Sequence, residues 1–471
     1  MKIWNKNQTG TKIEHHSLSV TLHDCWRVRW LESHNLVDGV SPDKNGVYGD
    51  TIPVRSIHQK TPNSSMSFLE EQGSIGDINC CICICSSSEL QLCSLAVQVN
   101  PRCWVNTITP EGDVEAGKML AVQCKRWGEP RVLELTTVDK PGPCLDDEVL
   151  VKVKAAGINP VETYIRSGQY PNLPDLPAIL GTEVSGIVEE VGQGVKNFKV
   201  GDKVFGKPIL GKGGYSQYAK LKRIDVYHMP PQLSFTEAAT LYVSYFTAYR
   251  ALHFKAQMKP GEWILIHGAT GGVGTAAVQI AKAHGLHVVG FAGTDSGRKY
   301  VESIGADVAL NYNDIGCYDL AVQSVGNGKK FDIILEPFSN IMLPNDLSLI
   351  NKRGRICVVG SRGQVQLNPR GFMQTEVQIH GVSLLSQTPE EGRHTAAVLT
   401  QGAADGWVKP NINYEFFLDE LPEAHKALMQ PGTHRGKLVV SNIDKFYPGI
   451  PHENYTTLYL LSMPTTVIYD D

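Results

Sequence analysis

One segment constrains this chain more than any other: WILIHGATGGVGTAAVQIAKAHG, residues 263–285. A strand-length apolar run leads straight into glycines at three-residue spacing, Gly268, Gly271 and Gly274. An alanine-rich stretch follows, whose Ala277, Ile280, Ala281 and His284 share one helical face. In that order, strand, glycine turn and helix let backbone N–H groups approach a bound anion while the helix N-terminus lends partial positive charge. The pattern predicts a dinucleotide's diphosphate at residues 268–274. The same glycines would equally serve a turn that needs only their φ freedom, so the flanking sequence has to decide.

Beyond the turn, strand-like and helix-like runs alternate: HVVGFAG, GRKYVESIGA, DVALNY, FDIILE, a helical LSLINKRG, then RICVVG. That is the sequence form of a doubly wound parallel sheet. Upstream the texture differs. In EVLVKVKAAG, Val149, Val151 and Val153 fall on one face, and GTEVSGIVEEVG and GDKVFG continue as strands joined by tight turns. These predict an antiparallel, barrel-like unit. Ser234 followed by Glu237 has the form of a capping box and predicts a helical segment through SYFTAYRAL. After His380, GVSLLS, a helical EEGRHTAAVLTQGAADG and GKLVVSNID return to complete the first unit.

The expected organisation is therefore an irregular or disordered extension over 1–118 and a barrel-like domain over 119–240, completed by 381–443. A nucleotide-binding domain spans 241–380, and an irregular tail 444–471. A length of 471 residues with 42% hydrophobic and 20% charged side chains allows more than one core. Net charge −4 and a pI near 6.4 argue against a large electropositive surface for nucleic acid or anionic lipid. No apolar run reaches the roughly 20 residues of a membrane span. The N-terminus lacks the apolar core of a secretory signal, which predicts a cytoplasmic protein without membrane contact. Seven of the 11 cysteines precede Met119 and none lies between Cys144 and Cys317. The cluster CCICIC has neither the spacing nor the histidines of a zinc module.

Cofactor choice turns on the end of the second strand, HVVGFAGT, where an NAD enzyme places a carboxylate on the ribose 2′-OH. Gly293 stands there instead, and Arg298 and Lys299 follow within about one helical turn, with Asp295 between. Such a pocket tolerates a 2′-phosphate and can pair it with a cation, which predicts NADPH; the alternative is that these are solvated helix charges.

From Met119 to about Asn442 the chain resembles the medium-chain dehydrogenase/reductase superfamily, and within it the zeta-crystallin-like NADPH:quinone oxidoreductases. The resemblance is carried by AGINPVETYIRSGQYPNLPDLPAILGTEVSGIVEEVG, GGYSQYA, SYFTAYRAL, GATGGVG, VVGSRG and LNPR. It implies an α/β protein with a GroES-like β-barrel catalytic domain and a Rossmann domain. Zinc-dependent relatives carry a Cys and a Gly-His-Glu triplet where this chain has Ile158-Asn159-Pro160 and Gly181-Thr182-Glu183, and the structural four-cysteine lobe is missing too. No metal is expected.

The implied reaction is metal-free reduction of a quinone by NADPH. The implied cofactor contacts are Tyr164, Thr270, Gly271, Gly272, Val273, Gly293, Tyr312, Val359, Gly360, Ser361, Arg362, Val382, Ser383 and Leu384, to which the cation argument adds Lys299. Met342 stands where relatives place an Asn. Asn159 and Tyr164 are expected beside the nicotinamide and the acceptor, with Tyr164 able to donate a proton. Each has a plainer alternative, a turn residue and a packed aromatic. The resemblance also implies a homodimer or homotetramer formed through the edge of the nucleotide-binding sheet. Two other functions remain open at this point: reduction of an enone or 2-alkenal double bond, and a non-catalytic role as an NADPH-binding crystallin or a weak binder of AU-rich RNA. The chain lacks the basic tract with interleaved aromatics that the RNA role would favour.

Overall fold

The structure is a computed structural model that describes residues 115–430 and 435–443 and, nearer the N-terminus, the backbone of four short strands. Those strands are β1 (Arg55–Thr61), β2 (Ser64–Glu70), β3 (Cys80–Cys85) and β4 (Val97–Val99), an antiparallel sheet in chain order. They belong to a unit, Met1–Trp104, separate from the unit Val105–Asp471. They fall within the extension expected to be irregular over 1–118, where no sustained strand or helix periodicity marks them in the sequence. The tail expected from 444 onward lies outside the described residues.

In the larger unit, β5 (Lys118–Cys124), β6 (Leu133–Asp139) and β8 (Ala178–Ile179) form a three-stranded sheet. A second sheet contains β7 (Glu148–Ile158), β9 (Val184–Val191), β10 (Lys203–Pro208) and β11 (Tyr218–His228), paired antiparallel in the order β11-β10-β9-β7. Because β11 also pairs with β7, these four strands close on themselves. Val149, Val151 and Val153, the face read from alternation, are fully buried and share a core with Ile165, Tyr215 and Leu221. From the far end of the chain, β19 (Lys437–Ser441) joins β7 antiparallel and brings β18 (Ile412–Phe416) with it.

The parallel sheet has the order β14-β13-β12-β15-β16-β17. Its strands are β12 (Trp263–Ile266), β13 (His287–Ala292), β14 (Val308–Asn311), β15 (Phe331–Glu336), β16 (Ile350–Val358) and β17 (Gln378–Gly381). The order reverses between β12 and β15, so a crevice opens at the carboxyl ends of that pair. One element departs from expectation. LSLINKRG was read as helical, but the helix is Ser339–Leu349 and β16 begins at Ile350. Pro344 inside the helix broke the apolar periodicity in sequence, and β-branched Ile350 pairs instead with Phe331.

Ser234 caps its helix as the sequence predicts: its Oγ accepts from Glu237 N at 3.3 Å, and Glu237 Oε2 accepts from Ser234 N at 2.7 Å. The helical run continues to Lys255 through two π-helical stretches. It buries Phe246 against Phe205 and Tyr227 of the barrel, with ring centroids 6.0 and 5.0 Å away. The same core takes in Ala276, Ala277 and Ile280 of helix Gly272–Ala283, so this run joins the two domains. Among the described residues no helix is long and apolar enough to cross a membrane. Phe246→Ala is expected to cost about 3–5 kcal/mol in urea unfolding; a loss under about 1 kcal/mol would mean the joint is not cooperative.

Candidate active site

The domain junction opens into a cleft of about 1220 Å³. The N-terminus of helix Gly272–Ala283 lines it, and the first-turn amides, which have no intrahelical acceptor, stand at the cleft. The turn before it is as tight as the glycine spacing predicts: a Cβ at Gly274 would lie 2.2 Å from Gly268 O, a distance only glycine allows. Around the same cleft stand Asn159, Tyr164, Gly271, Gly272, Val273, residues 359–362 and residues 382–384. Segments far apart in sequence thus meet because β12, β16 and β17 deliver their carboxyl ends to one edge.

Four of the sequence-selected residues lie outside the cleft lining. Thr270 turns its carbonyl to Gly436 N at 2.7 Å. Gly293 directly follows β13, against Tyr312, whose hydroxyl would sit 2.6 Å from a Cβ there. Lys299 is exposed on helix Asp295–Ser303, where its neighbour Arg298 pairs with Asp295 at 3.3 Å. Gly293 and Tyr312 thus meet just past the ends of β13 and β14. Met342 accepts from the Tyr318 hydroxyl at 3.3 Å and does not line the cleft.

The floor of the cleft is a charged network that sequence reasoning missed. Asn159 is 2% exposed. Its Nδ2 donates to Glu183 Oε1 at 3.0 Å, and its Oδ1 accepts from the Lys437 ammonium. Glu183, fully buried, also accepts from Lys437 Nζ at 2.8 Å and from Val243 N at 2.8 Å. Glu162 accepts from Thr182 N and Oγ1, from Asn159 N and from the Tyr215 hydroxyl at 2.5–2.7 Å. Burial pushes the Glu162 carboxyl up despite those donors. Behind Tyr215, burial holds the His425 imidazole down at about 3, so it is neutral at ordinary pH. The one visible signal was Lys437 itself, a charge opening the apolar run KLVV just after Gly436.

A second buried cluster sits at the root of the glycine turn. His267, Glu336 and Asp346 bring ligand-type atoms within 4.8 Å of one another, the only such trio of His, Cys, Asp or Glu among the described residues. His267 Nε2 lies 2.8 Å from Asp346 Oδ1 and 3.6 Å from Glu336 Oε2. Burial alone would lower His267, but the hydrogen bond and charge of Asp346, aided by Glu336, hold it above its ordinary value. Burial, reinforced by Asp346, pushes Glu336 up to about 8. A proton on Glu336 keeps a second carboxylate charge from facing Asp346 across the one imidazole.

Two families match the chain: "Alcohol dehydrogenase GroES-like domain" over residues 145–231 and "Zinc-binding dehydrogenase" over residues 272–400. The quinone oxidoreductase of Homo sapiens is 44% identical over 323 residues, which is 68% of this chain and 97% of the human protein. The chain belongs to the quinone oxidoreductase family. Quinone oxidoreductase 1 of Escherichia coli K12 is 31% identical over 330 residues, 98% of that protein. A crystal structure of Escherichia coli quinone oxidoreductase complexed with NADPH superposes with a TM-score of 0.62 at 30% identity, covering 68% of this chain and 99% of that one. As a member of this family the chain is an oxidoreductase enzyme, an α/β protein with a GroES-like domain and a Rossmann sheet.

The Glu336 shift has a signed consequence. Its folded value exceeds the ordinary 4.5, so the folded protein holds a proton that the unfolded chain releases. Stability from this group is therefore complete below about pH 4.5 and is lost as pH rises toward 8; raised His267 acts in the same sense. Urea unfolding at pH 5, 6.5 and 8 is expected to show wild type losing stability relative to Glu336→Gln across that interval. Parallel profiles would mean an ordinary carboxyl.

Proposed function

We propose that the chain passes reducing equivalents from NADPH to a quinone, with the cofactor along the cleft and the acceptor beside Tyr164. The observation that carries this reading is the single cleft shared by the glycine turn, residues 359–362, residues 382–384 and Tyr164. At about 1220 Å³ it exceeds the roughly 300–1,000 Å³ of a one-ligand pocket, which leaves room for a dinucleotide and a flat acceptor together. The turn amides would hold the diphosphate. Gly293 and Tyr312 would take the adenosine end, with Lys299, on the helix that follows β13, reaching the 2′-phosphate.

Bound NADPH supplies the hydride or electrons. The chain's own side chains bind, orient and exclude water. A quinone is already electron-poor and its reduced oxygen is a stabilised phenolate, so protonation by water or by the Tyr164 hydroxyl suffices without a metal. Lys299→Ala is expected to raise the Kd for NADPH about tenfold, the loss of one charge-assisted hydrogen bond, and to leave NADH unaffected. Equal effects on both cofactors would remove Lys299 from the 2′-phosphate.

Tyr164→Phe is expected to lower kcat with an ortho-quinone by about 100-fold if the hydroxyl delivers the proton. An unchanged kcat would leave Tyr164 a packing residue. Run with a 2-alkenal beside the quinone, the same assay sets the acceptor class: faster turnover of the alkenal would overturn the quinone reading. Activity is expected to survive dialysis against EDTA. We further propose assembly through β17, which ends the parallel sheet and leaves Ile379 39% and nearby Leu385 57% exposed.

A further inference from the structure

Lys437 opens β19 at the junction of the two domains, and its side chain is only 8% exposed. Its stem runs across the glycine turn: a Cβ on Gly272 would come within 2.6 Å of Lys437 Cδ. Its ammonium has three N–H bonds and three acceptors, Ile158 O at 3.0 Å, Glu183 Oε1 at 2.8 Å and Asn159 Oδ1. One residue earlier, Gly436 N donates to Thr270 O at 2.7 Å, and Gly436 pairs with Gly271 as an isolated parallel bridge. Two consecutive residues therefore tie the turn at 270–272 to the cleft floor at Ile158, Asn159 and Glu183. The contact also fixes the Asn159 amide, because a flipped amide would set its NH2 against the ammonium.

We propose that Lys437 is a positioning residue for the transfer step, setting the separation between the glycine turn and the cleft floor. The assignment rests on the reading that the cofactor's diphosphate lies on that turn. An apolar stem in its place would cover Gly272 but reach none of the three acceptors. A guanidinium's planar fork cannot converge three acceptors on one point. Errors of about 1 Å in the alignment of reactants cost on the order of 100-fold in rate, so a spacer of this kind acts on kcat.

The test uses full-length Lys437→Met, Lys437→Arg, Glu183→Gln and the double variant Glu183→Gln/Lys437→Met. Thermal unfolding, NADPH Kd by fluorescence, and kcat and KM with an ortho-quinone are read for each. Lys437→Met strands a buried carboxylate and is expected to lower Tm. The double variant leaves no unpaired charge, so Tm is expected to return toward wild type while kcat stays at least about tenfold down. Lys437→Arg, with the charge kept, is expected to fold and show the same kcat loss. A double variant with wild-type Tm and wild-type kcat would overturn the proposal, since the pair would then be structural only. Should the double variant not fold, wild-type kcat in Lys437→Arg would overturn it instead. Gly271→Asp tests the underlying placement separately, because it sets a carboxylate at the helix N-terminus on the cleft side without touching Lys437: an unchanged NADPH Kd there would take the diphosphate off the turn, whatever the Lys437 variants do.

Discussion

Two buried carboxylates at the bottom of the cleft, Glu162 and Glu183, set the terms for everything around them. Removing an ionised carboxylate from water costs several kcal/mol unless its lone pairs are met. Here Thr182, Asn159 and Tyr215 meet those of Glu162, and Lys437, Asn159 and Val243 meet those of Glu183. The donors come from the residue after β7 (Asn159), the segments leading into β9 (Thr182) and β11 (Tyr215), the helical run after Ser234 (Val243), and β19 (Lys437). These elements cannot shift independently, because moving one leaves a buried acceptor short of a donor, at about 1–3 kcal/mol for a hydrogen bond and more for the Lys437–Glu183 ion pair. The geometry of the cleft floor is thus fixed by electrostatics, while Phe246 and its neighbours fix the walls by packing.

This division explains why the cleft lies where it does. The parallel sheet supplies a crevice at the reversal of strand order, with a helix N-terminus facing it. A crevice alone holds an anion but no second reactant. The barrel brings the other half, and the returning strand β19 crosses to it carrying Lys437. At the back of the crevice the buried His267, Glu336 and Asp346 sit directly before Gly268 and behind Phe338, whose N–H donates to Glu336. The protonation state of that trio is thereby built into the base of the turn.

Local patterns carried the fold into the sequence well. The alternation in EVLVKVKAAG, the Ser234–Glu237 cap and the glycine spacing each depend on neighbours within a few residues, and each has the structure it implies. Helix Ser339–Leu349 was obscured because Pro344 interrupts its period. The floor was not legible for a different reason. Glu162, Glu183, Tyr215, His425 and Lys437 are 275 residues apart at the extremes, and nothing within one segment says that a lysine beginning an apolar strand will meet a carboxylate 254 residues earlier. Asn159 illustrates the limit. Its position at the cleft was visible, but its amide is turned to Glu183 and Lys437, a partnership only the tertiary fold creates.

The same partnership bears on which acceptor the cleft can reduce. All three Lys437 donors have acceptors within the floor, and the two Asn159 amide hydrogens face Glu183 Oε1 at 3.0 Å and Glu162 Oε1 at 3.4 Å, so both groups are engaged within the floor rather than turned to a substrate oxygen. A simple ketone would need such help, since its reduction places charge on an unstabilised alkoxide. A quinone does not, because its own ring spreads that charge. On the proposed reading, with the floor's cation held by its carboxylate, selectivity would pass to the acceptor's electron affinity and to Tyr164 as the proposed proton donor. Freeing the cation, as Glu183→Gln would, is expected to widen the acceptor range toward less activated carbonyls, measurable as a rise in the ratio of aldehyde to quinone turnover.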